Sequence, residues 1–185
     1  VDGMVTGGLF ADKDAGIDKA VSVSGLSLSG TDAGNYAIAP ANLKATITPK
    51  VLTVANTTVA NKDYDGNTTA TVTVGTLNGV VDGETLGTTT ATGTFAGKDV
   101  VRNAQGTALA QNVTVAYTLA NGTNAEHKAS NYTLANDTTK TATILPKTLT
   151  VIDTTVADKT YNGNLGATVK VGELSGFVGS ERLGT

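Results

Sequence analysis

The chain has no cysteine, no tryptophan, a single histidine and three prolines among its 185 residues. Without cysteine it can form neither a disulfide framework nor a thiolate metal site. Aromatic residues make up 4%, so a core has to be built from small aliphatic side chains. Lysine and arginine total 13 and never form a run, and the net charge is −3. The electrostatic footprint of nucleic-acid binding is therefore missing. No apolar stretch approaches the roughly 20 residues a membrane helix needs. The first residues show no leader pattern, and a secretion signal is expected upstream in a longer polypeptide.

What the chain does contain is threonine, 34 residues of it, and 22 glycines. Thr and Val favour strands, because a branched β-carbon packs well on a pleated surface and loses χ1 freedom in a helix. Glycine supplies the positive-φ positions that frequent turns require. A hydrophobic share of 39% with mean hydropathy of +0.00 is too apolar for a disordered chain of this charge. The composition predicts a folded, turn-rich β protein.

Self-similarity organises the rest. The 42 residues from Ile47 align without a gap on the 42 from Ile144, at a constant offset of 97, and 26 pairs are identical. Residues 8–50 likewise resemble 93–147, the second copy carrying longer loops. The expected organisation is the C-terminal half of one repeat at 1–48, a complete repeat at 49–146 and the N-terminal half of the next at 147–185. Each partial end is expected to expose its inner face. No period of 20–30 residues occurs, which excludes a β-helical solenoid.

Strand-like runs fall at 50–54, 69–75, 89–95, 112–119, 132–135 and 139–145, with shorter candidates at 59–62 and 76–81. In the 70–74 run, Ala70, Val72 and Val74 share one face, and Thr71 and Thr73 the other. Asp-Gly and Asn-Gly pairs separate the runs. The fold expected is all-β: tandem immunoglobulin-like antiparallel β-sandwich repeats of about 97 residues. Asp32-Ala33-Gly34-Asn35-Tyr36 has the layout of a tyrosine corner, in which the hydroxyl bonds back to nearby backbone. The second copy keeps Asn131-Tyr132 but has Lys128 in place of the aspartate. Pro49 and Pro146 block continuation of a ladder, so successive repeats are expected to join stiffly, each adding about 30–40 Å to a rod.

Four groups of residues are candidate sites. Tyr64-Asp65-Gly66 and its counterpart Tyr161-Asn162-Gly163 read as a positive-φ turn with a rim tyrosine, or as a carbohydrate-contacting tyrosine. Asp12, Asp14 and Asp18 alternate as calcium ligands do, although the matching loop places Arg102 where a ligand belongs; the other reading is a solvated loop. His127 sits in a polar insertion with neither partner nor pocket suggested. Asp82 and Glu84 read as solvated turn residues. No phosphate-binding loop, nucleophile elbow or metal-ligand cluster is legible, so no catalytic residue and no cofactor is expected. Six N-x-S/T sequons, at Asn56, Asn67, Asn112, Asn121, Asn131 and Asn136, are further candidates for modification.

Several linked motifs carry a family likeness: K-x-Y-D-G-N at 62–67, G-x-L-x-G at 75–79, the G-x-F-A-x-K-D runs at 8–14 and 93–99, D-A-G-N-Y at 32–36 and A-T-I-T-P-K-x-L-T-V at 45–54. With these the chain resembles the YDG/MBG-type repeats of filamentous-haemagglutinin-like adhesins, many of them exported by two-partner secretion. The resemblance implies a non-enzymatic stalk of a large secreted surface or matrix protein, working in adhesion, cell aggregation and biofilm. Expected partners are neighbouring repeats or other copies of the chain, with host or matrix polysaccharide as a further class, and an extracellular or cell-surface location. The alternative is a direct carbohydrate- or self-binding module that polymerises by strand pairing between chains.

Overall fold

A computed structural model describes residues 7–39 and 42–183. The outermost residues of the expected end segments (1–6, 184 and 185), together with Pro40 and Ala41, lie outside the described residues. The described chain is all-β, in several small sheets with two one-turn 3-10 helices, Ala33–Asn35 and Ala129–Asn131, and no α-helix. Contacts gather it into two compact units. One takes Val1–Thr57, Val74–Thr90 and Tyr117–Ala135, and the other Thr58–Thr73, Ala91–Ala116 and Asn136–Thr185.

The second unit holds a five-stranded sheet in the order Lys62–Asp63, Asp137–Leu145, Ala110–Thr118, Thr90–Phe95, Thr69–Ala70. Its core follows from period-two alternation: Gln111, Val113 and Val115 are buried while Asn112 and Thr114 face solvent. Ala70, Phe95, Ala142 and Ile144 complete that buried face. Gln111 is the buried polar member, and its Nε2 donates to the Asp99 carbonyl at 2.6 Å.

The first unit carries two three-stranded sheets. One is antiparallel, Gly7–Phe10, Gly16–Ser24 and Leu43–Ile47 in that order; the other runs Tyr132–Leu134, Lys50–Ala55, Thr76–Asn78. Leu52, Tyr132 and Thr57 are its buried residues. Thr57 Oγ1 accepts from the Tyr117 hydroxyl at 2.8 Å and from the Gly75 N–H at 3.4 Å.

Two strand pairs correct the antiparallel expectation. Tyr132–Leu134 runs parallel to Lys50–Leu52, and Ile144–Leu145 parallel to Lys62–Asp63. Each pair is joined by a long stretch of chain, which can re-enter a sheet in the same direction; only a tight hairpin forces reversal. The expected 69–75 strand is also two short pieces. Thr69–Ala70 pairs with Thr90–Phe95, and Val72–Thr73 with Thr58–Val59. The alternation survives the change of partner, with Ala70 buried, Val72 and Val74 half-buried, and Thr71 and Thr73 exposed.

Local geometry recurs at the 97-residue offset. Thr53, Val54 and Ala55 pair with Asn78, Leu77 and Thr76; Thr150, Val151 and Ile152 pair with Ser175, Leu174 and Glu173. Asn56 and Asp153 both take left-handed backbone, φ 61° and 58°. The Gly75 N–H reaches Thr57 Oγ1, and the Gly172 N–H reaches Thr154 Oγ1. The three-stranded sheet also matches three strands of the five-stranded one, at a varying offset because the second copy has longer loops. Ala11 N–H donates to the Ala20 carbonyl as Ala96 N–H does to that of Asn112. Lys19 Nζ donates to the Asp14 carbonyl where Gln111 donates to that of Asp99, both at 2.6 Å.

Candidate functional site

Lys62 organises the Tyr64-Asp65-Gly66 turn. Its Nζ donates to Asp65 Oδ1 at 2.7 Å, to the Asn67 carbonyl at 2.8 Å and to Asn67 Oδ1 at 3.0 Å. The same ammonium lies 5.5 Å from the centroid of the Phe95 ring, within cation–π range. Asp65 Oδ1 accepts the Asn67 N–H, and Asn67 Oδ1 the Thr69 N–H, two successive Asx turns. Gly66, at φ 77°, supplies the left-handed step. The hydrogen bond from Lys62 holds the Asp65 carboxyl below its ordinary range. The aspartate is thus saturated inside its own loop, and Tyr64 is the residue that reaches outward.

The Tyr64 hydroxyl donates to Glu181 Oε1 at 2.5 Å, and that bond raises the phenol's pKa. Lys98 Nζ stands 5.9 Å from the Tyr64 ring centroid. Val100, Pro146, Leu149 and Phe177 line with Tyr64 and Glu181 a cleft of about 240 Å³. The counterpart loop is built alike: Lys159 Nζ donates to Asn162 Oδ1 at 3.2 Å and to the Asn164 carbonyl at 2.6 Å, and Gly163 sits at φ 72°. Its Tyr161, however, is 94% exposed.

A second polar cluster occupies the first unit. Tyr132 donates to Glu84 Oε2, Lys13 Nζ donates to Glu84 Oε1 at 3.1 Å, and the Val81 N–H donates to the Tyr132 hydroxyl. The Tyr132 bond, then that from Lys13, lowers the Glu84 pKa; burial, then the glutamate, raises that of Tyr132. Asp14 takes the ammonium of Lys128 and the Asn131 amide, both of which lower its pKa, and Asn131 Oδ1 accepts the Ala15 N–H at 2.8 Å. Lys13, Ala15, Lys50, Val81, Glu84 and Tyr132 line a cleft of about 160 Å³. The two clefts use matching positions: Lys50 and Lys147, Val81 and Val178, Glu84 and Glu181, Ala15 and Val100.

The sequence candidates distribute unevenly over these clusters. Tyr64, Asn131 and Tyr132 stand at clefts, whereas Asp32, Asn35 and Tyr36 are exposed. Asp32 and Tyr36 line a separate cleft of about 550 Å³ with Leu28 and Ala33. Tyr132 does reach a backbone N–H, but one 51 residues upstream, so its contact is long-range where a local corner was expected. Both tyrosines follow a 3-10 turn and are extended, φ −129° at Tyr36 and −132° at Tyr132. Pro49 and Pro146 fall between strands, the first between those ending at Ile47 and starting at Lys50, the second between those ending at Leu145 and starting at Thr150.

Two expectations change. Glu84 is no solvated turn residue, since its side chain is 15% exposed. His127 has a partner, as its Nδ1 accepts the Thr85 N–H at 3.2 Å. Asp12 and Asp14 do not converge as ligands, because Lys19 and Lys128 take their carboxylates; among the described residues no three acidic or histidine side chains gather at metal-binding distance. Lys62, Lys98 and Glu181 are site residues outside the four candidate groups, and Glu84 joins them in place of the solvated residue expected. Their retention in both copies, as Lys62 and Lys159, Lys13 and Lys98, Glu84 and Glu181, was the available signal.

Fold and site define an all-β chain whose distinctive chemistry is contact between its own segments. The chain belongs to the YDG domain family: the family model for the YDG domain matches residues 3–43 and again 48–141. No curated protein matches the chain, and no solved structure does.

Proposed function

We propose that this chain is a structural stalk segment of a large secreted bacterial surface adhesin or matrix fibre, of the filamentous-haemagglutinin-like kind. It is built of tandem immunoglobulin-like repeats with boundaries at 1–48, 49–146 and 147–185. Its work is reach and cohesion in adhesion, aggregation and biofilm, outside the cell and without catalysis. The observation that carries this reading is the matched pair of clefts. Residues of one repeat (Tyr64, Val100) meet residues of the following one (Lys147, Val178, Glu181), and Lys13 and Ala15 meet Lys50, Val81 and Glu84 at the equivalent place. A regular junction of this kind is what a stiff serial array requires. The carboxylates near the clefts support it further, being bound by lysines, tyrosines and amides of the chain itself.

Small-angle scattering and electron microscopy of a chain of five consecutive repeats test the proposal. A rod lengthening by about 30–40 Å per repeat is expected, and a compact or freely jointed particle overturns it. The second reading, a module that binds directly, is favoured by the exposed Tyr36 and Tyr161. A glycan array with the same chain checks it, and specific binding lost on Tyr161→Ala would put it first.

A further inference from the structure

We infer that two molecules of this chain join head to tail, residues 147–183 of one completing the sheet and covering the face formed by residues 7–39 and 42–48 of the next. This rests on the repeat reading above and names the partner: a second copy of the chain. In a longer polypeptide carrying further repeats, the adjoining repeats would fill the same places.

The argument starts from one sheet that occurs twice, once with more strands. The five-stranded sheet of the second unit contains, at its centre, the strands matching Gly7–Phe10, Gly16–Ser24 and Leu43–Ile47. It adds Thr69–Ala70 on one edge and Lys62–Asp63 on the other. In the three-stranded sheet both corresponding edges carry no further strand among the described residues. The apolar face changes with them. Phe95 is 2% exposed and Ile144 0%, whereas Phe10 is 40% exposed and Ile47 half-buried. The segments matching the two missing edge strands exist in the chain, at 159–160 and 166–167. There they belong to no strand, among residues exposed almost throughout 150–183.

Each half therefore presents what the other lacks, and the register can be written down by transfer. The Thr69–Thr94 and Ala70–Gly93 pairs become Gly166–Leu9 and Ala167–Gly8. The Phe95 N–H donates to the Thr68 carbonyl and the Tyr64 N–H to that of Leu145, both at 2.8 Å. Their equivalents run from Phe10 to Leu165 and from Tyr161 to Thr48. The Tyr64–Glu181 bond becomes one from Tyr161 of the first molecule to Glu84 of the second. Glu84 then holds two tyrosines and Lys13, the full set of which each described cleft shows part. Pairing of edge strands with burial of an apolar face is a sufficient basis for such association.

Single cysteines in this cysteine-free chain give the test. Leu9→Cys and Gly166→Cys molecules, mixed and oxidised, are expected to form a mixed cross-linked dimer, with neither variant cross-linking comparably by itself. Sedimentation of the unmodified chain should show assembly growing with concentration, weakened at least about tenfold by Tyr161→Phe, which removes a hydrogen bond to a carboxylate. Gly8→Ala is the blocking variant. A Cβ at Gly8 meets nothing closer than Val21 Cγ1 at 3.3 Å, but at the equivalent Gly93 it would lie 2.5 Å from Val72 Cγ2 and 2.9 Å from Ala70 Cβ. It should leave the circular dichroism of the dilute chain unchanged and abolish assembly. A chain that stays monomeric with no mixed cross-link overturns the inference. So does efficient closure within one molecule of the Leu9→Cys/Gly166→Cys double variant at high dilution, or assembly indifferent to Gly8→Ala. Any of these results alongside a rod-like five-repeat chain removes this inference alone and leaves the stalk reading standing.

Discussion

Tyr132 donates its hydroxyl to Glu84 at 2.7 Å, bridging residues 48 apart in the chain, while the same oxygen accepts the Val81 N–H at 3.2 Å. A buried ring thus ends in a hydroxyl used in both directions, and the cleft beside it is held by one carboxylate.

Removing that oxygen tests the arrangement. Tyr132→Phe keeps the ring but leaves the Val81 N–H without its acceptor and Glu84 without its inner donor. A loss of about 1–3 kcal/mol in denaturant unfolding is expected, from a residue 5% exposed. An unchanged midpoint would show that water replaces the hydroxyl at no cost.

Acid should destabilise the fold. Lys128 and Asn131 lower the pKa of Asp14, Tyr132 and Lys13 that of Glu84, and Lys62 that of Asp65. A carboxyl with a depressed folded-state pKa binds protons more readily when unfolded, so its contribution is full above the unfolded value, about 4, and is lost as pH falls through the folded one. The melting temperature should be level from neutral pH down to about 5 and drop steeply below about 4. The tyrosines act in the opposite sense. The raised pKa values of Tyr64 and Tyr132 give a contribution present below the unfolded value of about 10 and lost as pH rises beyond it. Calorimetry across both ranges checks the two slopes.

Gly75 has no room for a side chain. A Cβ there would lie 1.8 Å from the Ala55 carbonyl oxygen, backbone against backbone. Gly75→Ala should cost at least about 2 kcal/mol, whereas Gly34→Ala, which meets nothing within 4 Å, should be close to neutral. Equal effects would sink the packing argument.

Core substitutions should separate the two copies of the sheet. Ile144→Ala empties a position that is 0% exposed and should cost about 2–5 kcal/mol. Ile47→Ala, at the matching but half-buried position, should cost markedly less in dilute solution. Paired unfolding curves decide it.

Lys62→Met should loosen the Tyr64-Asp65-Gly66 turn, since one ammonium holds three acceptors there. Amide hydrogen exchange at Asn67 and Thr69 is expected to accelerate, while the core strands around Val113 keep their protection. Uniform protection in the variant would assign the loop's order to its Asx turns alone.

Most strands were legible because alternation and turn chemistry are local. Val113 and Val115 face inward by period two, and Gly66 and Gly163 mark left-handed turns that side chains disfavour. Partners that arrive from distant segments are not legible in this way. Glu84, in a turn between glycines, looks solvated until Lys13 and Tyr132 arrive from distant segments. His127, in a polar insertion, gains its partner from Thr85, 42 residues away. Parallel pairing was equally hidden, since a strand's own pattern does not encode its neighbour's direction.

By itself the sequence determined that this is an all-β chain and where it turns, since both follow from backbone preference and side-chain period over a few residues; its linked motifs carried the likeness to the YDG family, and the identities between segments 97 residues apart carried their like construction. Only the tertiary structure decided that Tyr64 meets Glu181, that Asp14 meets Lys128 and Asn131, and that one sheet has five strands where its counterpart has three. Those contacts join segments up to 117 residues apart, and such partners are chosen by how whole sheets close on one another, which no short stretch of chain contains.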